Sequence, residues 1–320
     1  MFSLAQLESA AEVVYRTMPA TPQRRWPLLD ARCGAAVWVK HENHALTGAF
    51  KIRGGLVYFD ALGRQGTKPA GTVAATRGNH GQSVGFAARQ HGIAAAVVVP
   101  HGNSVDKNNA MRALGVELIE EGHDFQASFE AAARIARERG WHRMPTFDPL
   151  LIQGVASYGL ELFRAVPDVE TVYVPIGQGS GVCGTIAARD ALGARARIVA
   201  VVAKAAPAYA QSLAAGHPVS CEVTTRVADG MACRVADPDA LELIRKGADR
   251  VVEVSDDQIE DAMRAIYEDT HSVAEGAGAA SVAALLAEGD RVRGRSVAVI
   301  LTGSNVDRSV FTRVLSADLH

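Results

Sequence analysis

The sequence predicts an α/β fold with parallel sheets covered on both faces by helices. Three observations carry that reading. Short apolar runs rich in Ala and Val, among them Ala94–Val99 and Val172–Ile176, have the composition of strands buried on both faces. Strand-like and helix-like segments alternate along the chain. A composition of 48% hydrophobic and 21% charged residues over 320 positions can bury one large core or two domains.

The elements follow in order. Thr47-Gly48-Ala49-Phe50-Lys51-Ile52-Arg53-Gly54 is a small-residue loop that delivers Lys51 onto the start of an amphipathic helix. Gly63 to Gly71, with Thr67-Lys68-Pro69, reads as a loop and a crossing between domains. Strands over Thr72–Ala75, Ala94–Val99 and Glu117–Ile119 alternate with helices over Gln82–His91, Lys107–Leu114 and Phe125–Arg139. That alternation is one compact βα unit, so residues 66–147 are expected to form a small domain. The Asp148-Pro149 turn returns the chain to a large domain made of residues 1–65 and 148–320. There the strand Val172–Ile176 enters the turn Gly177-Gln178-Gly179-Ser180-Gly181-Val182-Cys183-Gly184, and Ala196–Val202 is the next strand. No internal repeat or low-complexity linker interrupts the series.

Chemistry concentrates at three of these points. A lysine in a chain with 33 Lys and Arg residues is by default a solvated surface charge. Lys51 differs in its setting, a partly apolar helix start with Arg53 beside it, which can lower its pKa and free the amine for a Schiff base. The second point is Ala75-Thr76-Arg77-Gly78-Asn79-His80-Gly81-Gln82-Ser83, a strand, a tight polar turn and a helix start that gather backbone N–H groups into an anion site. The third is the glycine loop, which can cradle a phosphate. Gly179, Gly181 and Gly184 also satisfy the dinucleotide pattern G-x-G-x-x-G. That rival needs a carboxylate about 20 residues on, for the ribose hydroxyl. The next strand ends in Ala203-Lys204-Ala205-Ala206, with no carboxylate, so a monophosphate cofactor is preferred. A Schiff-base lysine, one phosphate cup and a separate carboxylate site together describe a pyridoxal-phosphate enzyme acting on an amino acid.

From about Pro27 to Asp307 the chain resembles the fold-type II pyridoxal-phosphate enzymes of the serine/threonine dehydratase and serine racemase group, with four motifs in family order. The resemblance implies two open, twisted, mostly parallel sheets flanked by helices, with the cofactor in the cleft between the domains, and a homodimer. It implies that Lys51, beside Phe50, holds the cofactor. Asn79 in Gly78-Asn79-His80-Gly81-Gln82 would bond the cofactor's phenolic oxygen, Gly177, Gln178, Gly179, Ser180 and Gly181 would hold its phosphate, and Thr302 in Leu301-Thr302-Gly303-Ser304-Asn305 would face the pyridine nitrogen. Thr76, Arg77, Gly78, Asn79 and His80 form the expected substrate carboxylate loop. Ala228-Asp229-Gly230 and Glu275-Gly276-Ala277-Gly278 resemble family loops near the cofactor, while His80 and His44, two of ten histidines, read as loop or surface residues.

Composition excludes other classes. A net charge of −2 offers no field for nucleic acid. No apolar stretch approaches the ~20 residues of a membrane helix, and the start Met1-Phe2-Ser3-Leu4-Ala5-Gln6-Leu7-Glu8 lacks a signal pattern. Cys33, Cys183, Cys221 and Cys233 have no metal-ligand spacing and read as buried reduced thiols, so a cytoplasmic protein is expected.

A hydroxyl at the pyridine nitrogen leaves the ring neutral and a weak electron sink, which favours β-elimination over transamination. Lys51, released by the substrate amine, is placed to take the α-proton. Three departures from the family pattern bear on substrate. Arg77 stands where racemases carry a serine acid–base, and a guanidinium of pKa above ~12 exchanges no protons near neutrality, so racemisation is disfavoured. Arg77 is instead a candidate catalytic residue that supplies fixed positive charge beside the phenolic oxygen or a carboxylate. Ala203-Lys204-Ala205-Ala206-Pro207 replaces the carboxylates with which many relatives hold a divalent cation, so no metal is expected. Val155 and Tyr158 occupy a segment where relatives are more polar, and read either as core or as an apolar wall of the substrate pocket.

These departures favour a phenylserine dehydratase reading, in which L-threo-3-phenylserine becomes phenylpyruvate and ammonia. Threonine/serine, 3-hydroxyaspartate and hydroxyectoine-pathway dehydratases are the alternatives, with a β-replacement synthase or a non-catalytic amino-acid sensor as different classes. No segment of the ~70 or more residues that a regulatory domain needs follows the Thr302 motif, so C-terminal feedback control is not expected.

Overall fold

The computed structural model describes residues 2–64 and 68–317. The strands are β1 (Gln23–Arg25), β2 (Ala36–His41), β3 (Gly71–Ala75), β4 (Ala94–Val99), β5 (Glu117–Glu120), β6 (His142–Arg143), β7 (Thr171–Pro175), β8 (Arg197–Ala203), β9 (Arg250–Val254) and β10 (Ser296–Leu301). They form a six-stranded sheet in the order β1-β2-β10-β7-β8-β9 and a four-stranded sheet in the order β5-β4-β3-β6. All pairings are parallel except β1 with β2. The two mostly parallel sheets flanked by helices agree with the fold class read from the sequence.

Burial on both faces explains the Ala- and Val-rich runs. In β7, Val172 and Val174 join one core cluster and Tyr173 the other, and in β8 Ile198, Ala200 and Val202 oppose Val199, Val201 and Ala203. The four-stranded sheet repeats the pattern, with Ala74, Val97 and Val99 on one side and Val73, Ala75, Ala96 and Val98 on the other. A period of two with both faces apolar leaves no polar register in these strands.

The helix Phe125–Arg139 has the bounds that the sequence suggested, because Asp124 caps its start by accepting from the Ala127 N–H at 2.8 Å and Gly140 closes it at φ 61. The helices after β3 and β4 begin earlier than expected, at Asn79 and Val105. Asn79 and His80, read as turn, therefore lie in the first helical turn. No helix among the described residues is long and apolar enough to cross a membrane.

The helix Lys51–Arg64 lies between the halves. Its Ile52, Leu56, Val57 and Phe59 share a cluster with the four-stranded sheet, while its start crosses the helix Pro149–Ala165 of the other half at backbone contact. A Cβ on Gly154 would stand 2.3 Å from the Arg53 carbonyl oxygen, and one on Gly54 would stand 2.9 Å from that of Leu151. Glycine at both positions lets the two helices touch. We propose the two-domain division, 1–65 with 148–320 and 66–147, on the ground that the four-stranded sheet uses only residues 71–143, with this helix serving both parts. The 65/66 boundary and residues 65–67 of the crossing loop lie outside the described residues.

Candidate active site

One cavity lies between the C-terminal ends of the two sheets, and the sequence-predicted residues converge on it. Lys51, the first residue of its helix, points its amine there and donates to the Ser180 hydroxyl at 3.0 Å. Burial pushes that amine down to a pKa of about 8. Its neighbour Phe50 presents its ring 4.8 Å from the amine and stands edge-on to Tyr158. The expectation that Arg53 lowers the lysine's pKa is corrected: Arg53 points away into the core. Its guanidinium binds Glu42 (Nε to Oε2, 2.7 Å) and Glu161 (Nη1 to Oε1, 2.6 Å), with Ser157 at 2.8 Å, so its charge is neutralised there. Desolvation alone acts on Lys51.

The lysine loop is stitched to the 301–305 segment. The Phe50 N–H donates to the Thr302 carbonyl at 3.1 Å, the Ser304 N–H to that of Gly48 at 2.9 Å, and Ala49 bridges Gly303. Thr302 lines the cavity with its hydroxyl only weakly engaged, donating to the Ala277 carbonyl at 3.4 Å, so its O–H is free to turn and donate to a neutral ring nitrogen.

Two helix N-termini open on the same space without a side-chain cap. One begins at Ser180 after Gly179, whose φ of 101 is open to glycine, and the other at Asn79 after Gly78. Uncapped N–H groups at both are anion sites. Gly177 cannot carry a Cβ, which would meet the Gly230 carbonyl oxygen at 2.4 Å, so the cup is closed by backbone. Gly177, Gln178, Gly179 and Gly181 line the cavity, and Ser180 reaches it through Lys51. A lysine of lowered pKa, a hydroxyl at the far end and two anion cradles fit a pyridine phosphate cofactor together with a substrate carboxylate.

Thr76, Arg77, Gly78, Asn79 and His80 all border the cavity. Thr76 holds the loop by accepting from the Gly78 N–H at 2.9 Å. Arg77 reaches a second, outer cavity that shares Phe125, Gln178, Ala232 and Cys233 with the first, and its buried Nε has no partner. His80 is not the surface histidine the sequence suggested. Burial, then the nearby Lys51, hold its pKa down at about 3, so the ring is neutral; its N–H is taken by the Pro145 backbone carbonyl, which leaves the unpartnered Nε2 as an acceptor. His44 is exposed and stacks on His41 at 4.9 Å.

Val155 and Tyr158 do not form a pocket wall. Both lie in the core, Val155 against Gly184 and the Tyr158 hydroxyl on the Gly181 carbonyl at 2.8 Å. The apolar lining includes instead Phe50, Phe125, Pro175, Met231 and Ala232. The sequence reading missed Lys107, which borders the cavity in ion pairs with Asp229 and Glu275. The only signal was a lysine one turn before Met111, facing inward on its helix. The four cysteines are buried and free. Lys204 is exposed, and among the described residues no group of three or more His, Cys, Asp or Glu could hold a metal ion.

A family model described as "Pyridoxal-phosphate dependent enzyme" matches residues 15–303. The chain is 34% identical to an L-threonine ammonia-lyase of Thermotoga maritima over 320 residues, covering all of this chain and 79% of that protein. It is equally identical to the L-threonine ammonia-lyase of Geobacter sulfurreducens over 289 residues, 90% of this chain and 72% of the other. Among solved structures, processed threonine deaminase isoform 2 from Solanum lycopersicum superposes with a TM-score of 0.89 at 25% identity, covering 100% and 90% of the two chains. Maize serine racemase superposes with a TM-score of 0.88 at 27% identity over 99% and 98%.

Proposed function

We infer the reaction from one premise: the chain belongs to the family of pyridoxal-phosphate-dependent enzymes, in its serine/threonine dehydratase group. It is an ammonia-lyase that uses pyridoxal phosphate for β-elimination from hydroxy-amino acids. The product of such an elimination is a 2-oxo acid and ammonia. The observation that carries the assignment of residues is Lys51, a half-buried, desolvated amine of pKa about 8 between two uncapped helix N-termini. When bound, the cofactor supplies the electron sink for charge at the substrate α-carbon. The backbone of Gly177–Gly181 holds its phosphate and Thr302 offers a hydroxyl to its ring nitrogen. The N–H groups at Asn79–Gly81 orient the substrate carboxylate. Lys51 Nζ, neutral above pH 8, takes the α-proton. Arg77 holds fixed positive charge at the cavity's edge and cannot return a proton to the opposite face, which supports elimination over racemisation.

For the substrate, we propose L-threonine or L-serine first. Two of the relatives named above are L-threonine ammonia-lyases, and Val155 and Tyr158, which carried the aryl reading, are core residues. L-threo-3-phenylserine is the second reading, favoured by the outer cavity that continues past Phe125 and Arg77. 3-Hydroxyaspartate would use the unpartnered Arg77. We also propose a cytoplasmic homodimer: the resemblance implies the dimer, and four free buried thiols suit a reducing compartment. Ammonia release from threonine, serine, threo-phenylserine and threo-3-hydroxyaspartate, measured with added pyridoxal phosphate and chelator, tests the proposal. Turnover of threonine or serine above the others is expected; phenylserine alone turning over selects the aryl reading, and no release from any of them overturns elimination.

A further inference from the structure

A second lysine borders the cavity, and it belongs to no step of the proposed reaction. Lys107 is 5% exposed and projects from the helix Val105–Ala113 of the four-stranded half. Its Nζ meets two carboxylates of the other half, Asp229 Oδ2 at 2.7 Å and Glu275 Oε2 at 2.9 Å. Its stem runs directly beneath the 76–80 loop, since a Cβ on Gly78 would stand 2.3 Å from Lys107 Cδ.

The pairing continues into the site. Glu275 Oε1 accepts from Asn79 Nδ2 at 2.5 Å, and Asn79 Oδ1 accepts from Asn305 Nδ2 at 2.9 Å, while Asn305 also donates to the Thr47 carbonyl at 2.8 Å. These contacts fix which way the Asn79 amide lies. Its oxygen is committed to Asn305, one N–H to Glu275, and one N–H remains for the cavity. Glu275 is buried, and burial favours its neutral acid, which could no longer be relied on to accept from Asn79. The Lys107 charge opposes that and keeps the carboxylate an acceptor.

We propose that Lys107 is a positioning residue: by pairing with Glu275 it fixes the Asn79 amide and sets the electrostatic state of the bound cofactor without touching the reacting atoms. The inference rests on the proposed function, which places Asn79 beside the cofactor. An uncompensated carboxylate stabilises positive charge nearby, and removal of that carboxylate beside a retained lysine does the opposite.

The test is a pH titration of the holoenzyme's visible absorbance, with cofactor affinity and thermal melting measured alongside. Lys107→Met is expected to raise the titration midpoint by about one unit, Lys107→Arg to keep it near the wild-type value, and Glu275→Gln to lower it. The Glu275→Gln variant keeps Lys107 on Asp229, so it serves if Lys107→Met does not fold. Midpoints unmoved in the variants that bind cofactor, whatever their melting temperatures, overturn the positioning role and leave the proposed function intact. A wild-type protein that takes up no cofactor overturns both.

Discussion

The Lys51 amine donates to the Ser180 hydroxyl at 3.0 Å, which joins the first residue of one helix to the first residue of another. Each helix start comes from a different sequence motif, 129 positions apart. In the proposed function, that contact sets the base at the mouth of the phosphate cup. Lys51→Ala should abolish ammonia release, by about a thousandfold or more, with no loss of melting temperature, because the variant no longer buries an amine. Retained release would show that another group takes the α-proton.

The same burial sets the pH profile. Lys51 is held at about 8, below the ordinary lysine value of 10.5, so its neutral, proton-accepting form grows as pH rises through 8. Turnover at saturating substrate is expected to climb between about pH 7 and 9 and then level. A flat profile over that range would remove Lys51 as the rate-determining base.

Arg53 serves the core and not the Lys51 amine. It is fully buried between Glu42 and Glu161, and Lys40 shares Glu161. Arg53→Met leaves two carboxylates in the core with one lysine, and removal of one partner from a buried pair costs about 3–5 kcal/mol. Burial would raise the Glu161 carboxyl, yet Arg53 and Lys40 hold it below its usual range. That contribution is present above the unfolded carboxylate value and is lost as pH falls through the folded one. The wild-type protein should therefore lose stability in acid, and Arg53→Met should flatten that dependence. Denaturant unfolding at pH 4 and pH 7 measures both.

The legible part of this molecule was what period and backbone chemistry write into sequence. Ala94–Val99 and Phe125–Arg139 were readable to the residue because apolar runs and caps are local signals. The glycine turn announced the helix start at Ser180 for the same reason. Contacts between distant segments left no such trace. Arg53 was read as a neighbour of Lys51 when its partners lie at 42 and 161, and Tyr158 was read as a possible pocket wall when its hydroxyl is taken by Gly181. Lys107 was missed because two carboxylates more than 100 residues away are what make its burial tolerable.

Gly154 gives the sharpest reversal of a local rule. Replacing glycine by alanine inside an exposed helix stabilises by up to ~1 kcal/mol, and Gly154 lies inside the helix Pro149–Ala165 with ordinary helical neighbours. Its Cβ would meet the Arg53 carbonyl oxygen at 2.3 Å, the Arg53 carbonyl carbon at 2.8 Å and the Gly54 Cα at 2.9 Å, all backbone and unable to swing aside. The helices must then part, which lifts the start of Lys51–Arg64 away from Glu161 and loosens the hold on Lys51. Gly154→Ala is expected to destabilise by about 1–3 kcal/mol and to weaken cofactor retention in the same measurement series. An unchanged melting temperature would mean that the two helices do not approach at backbone contact here.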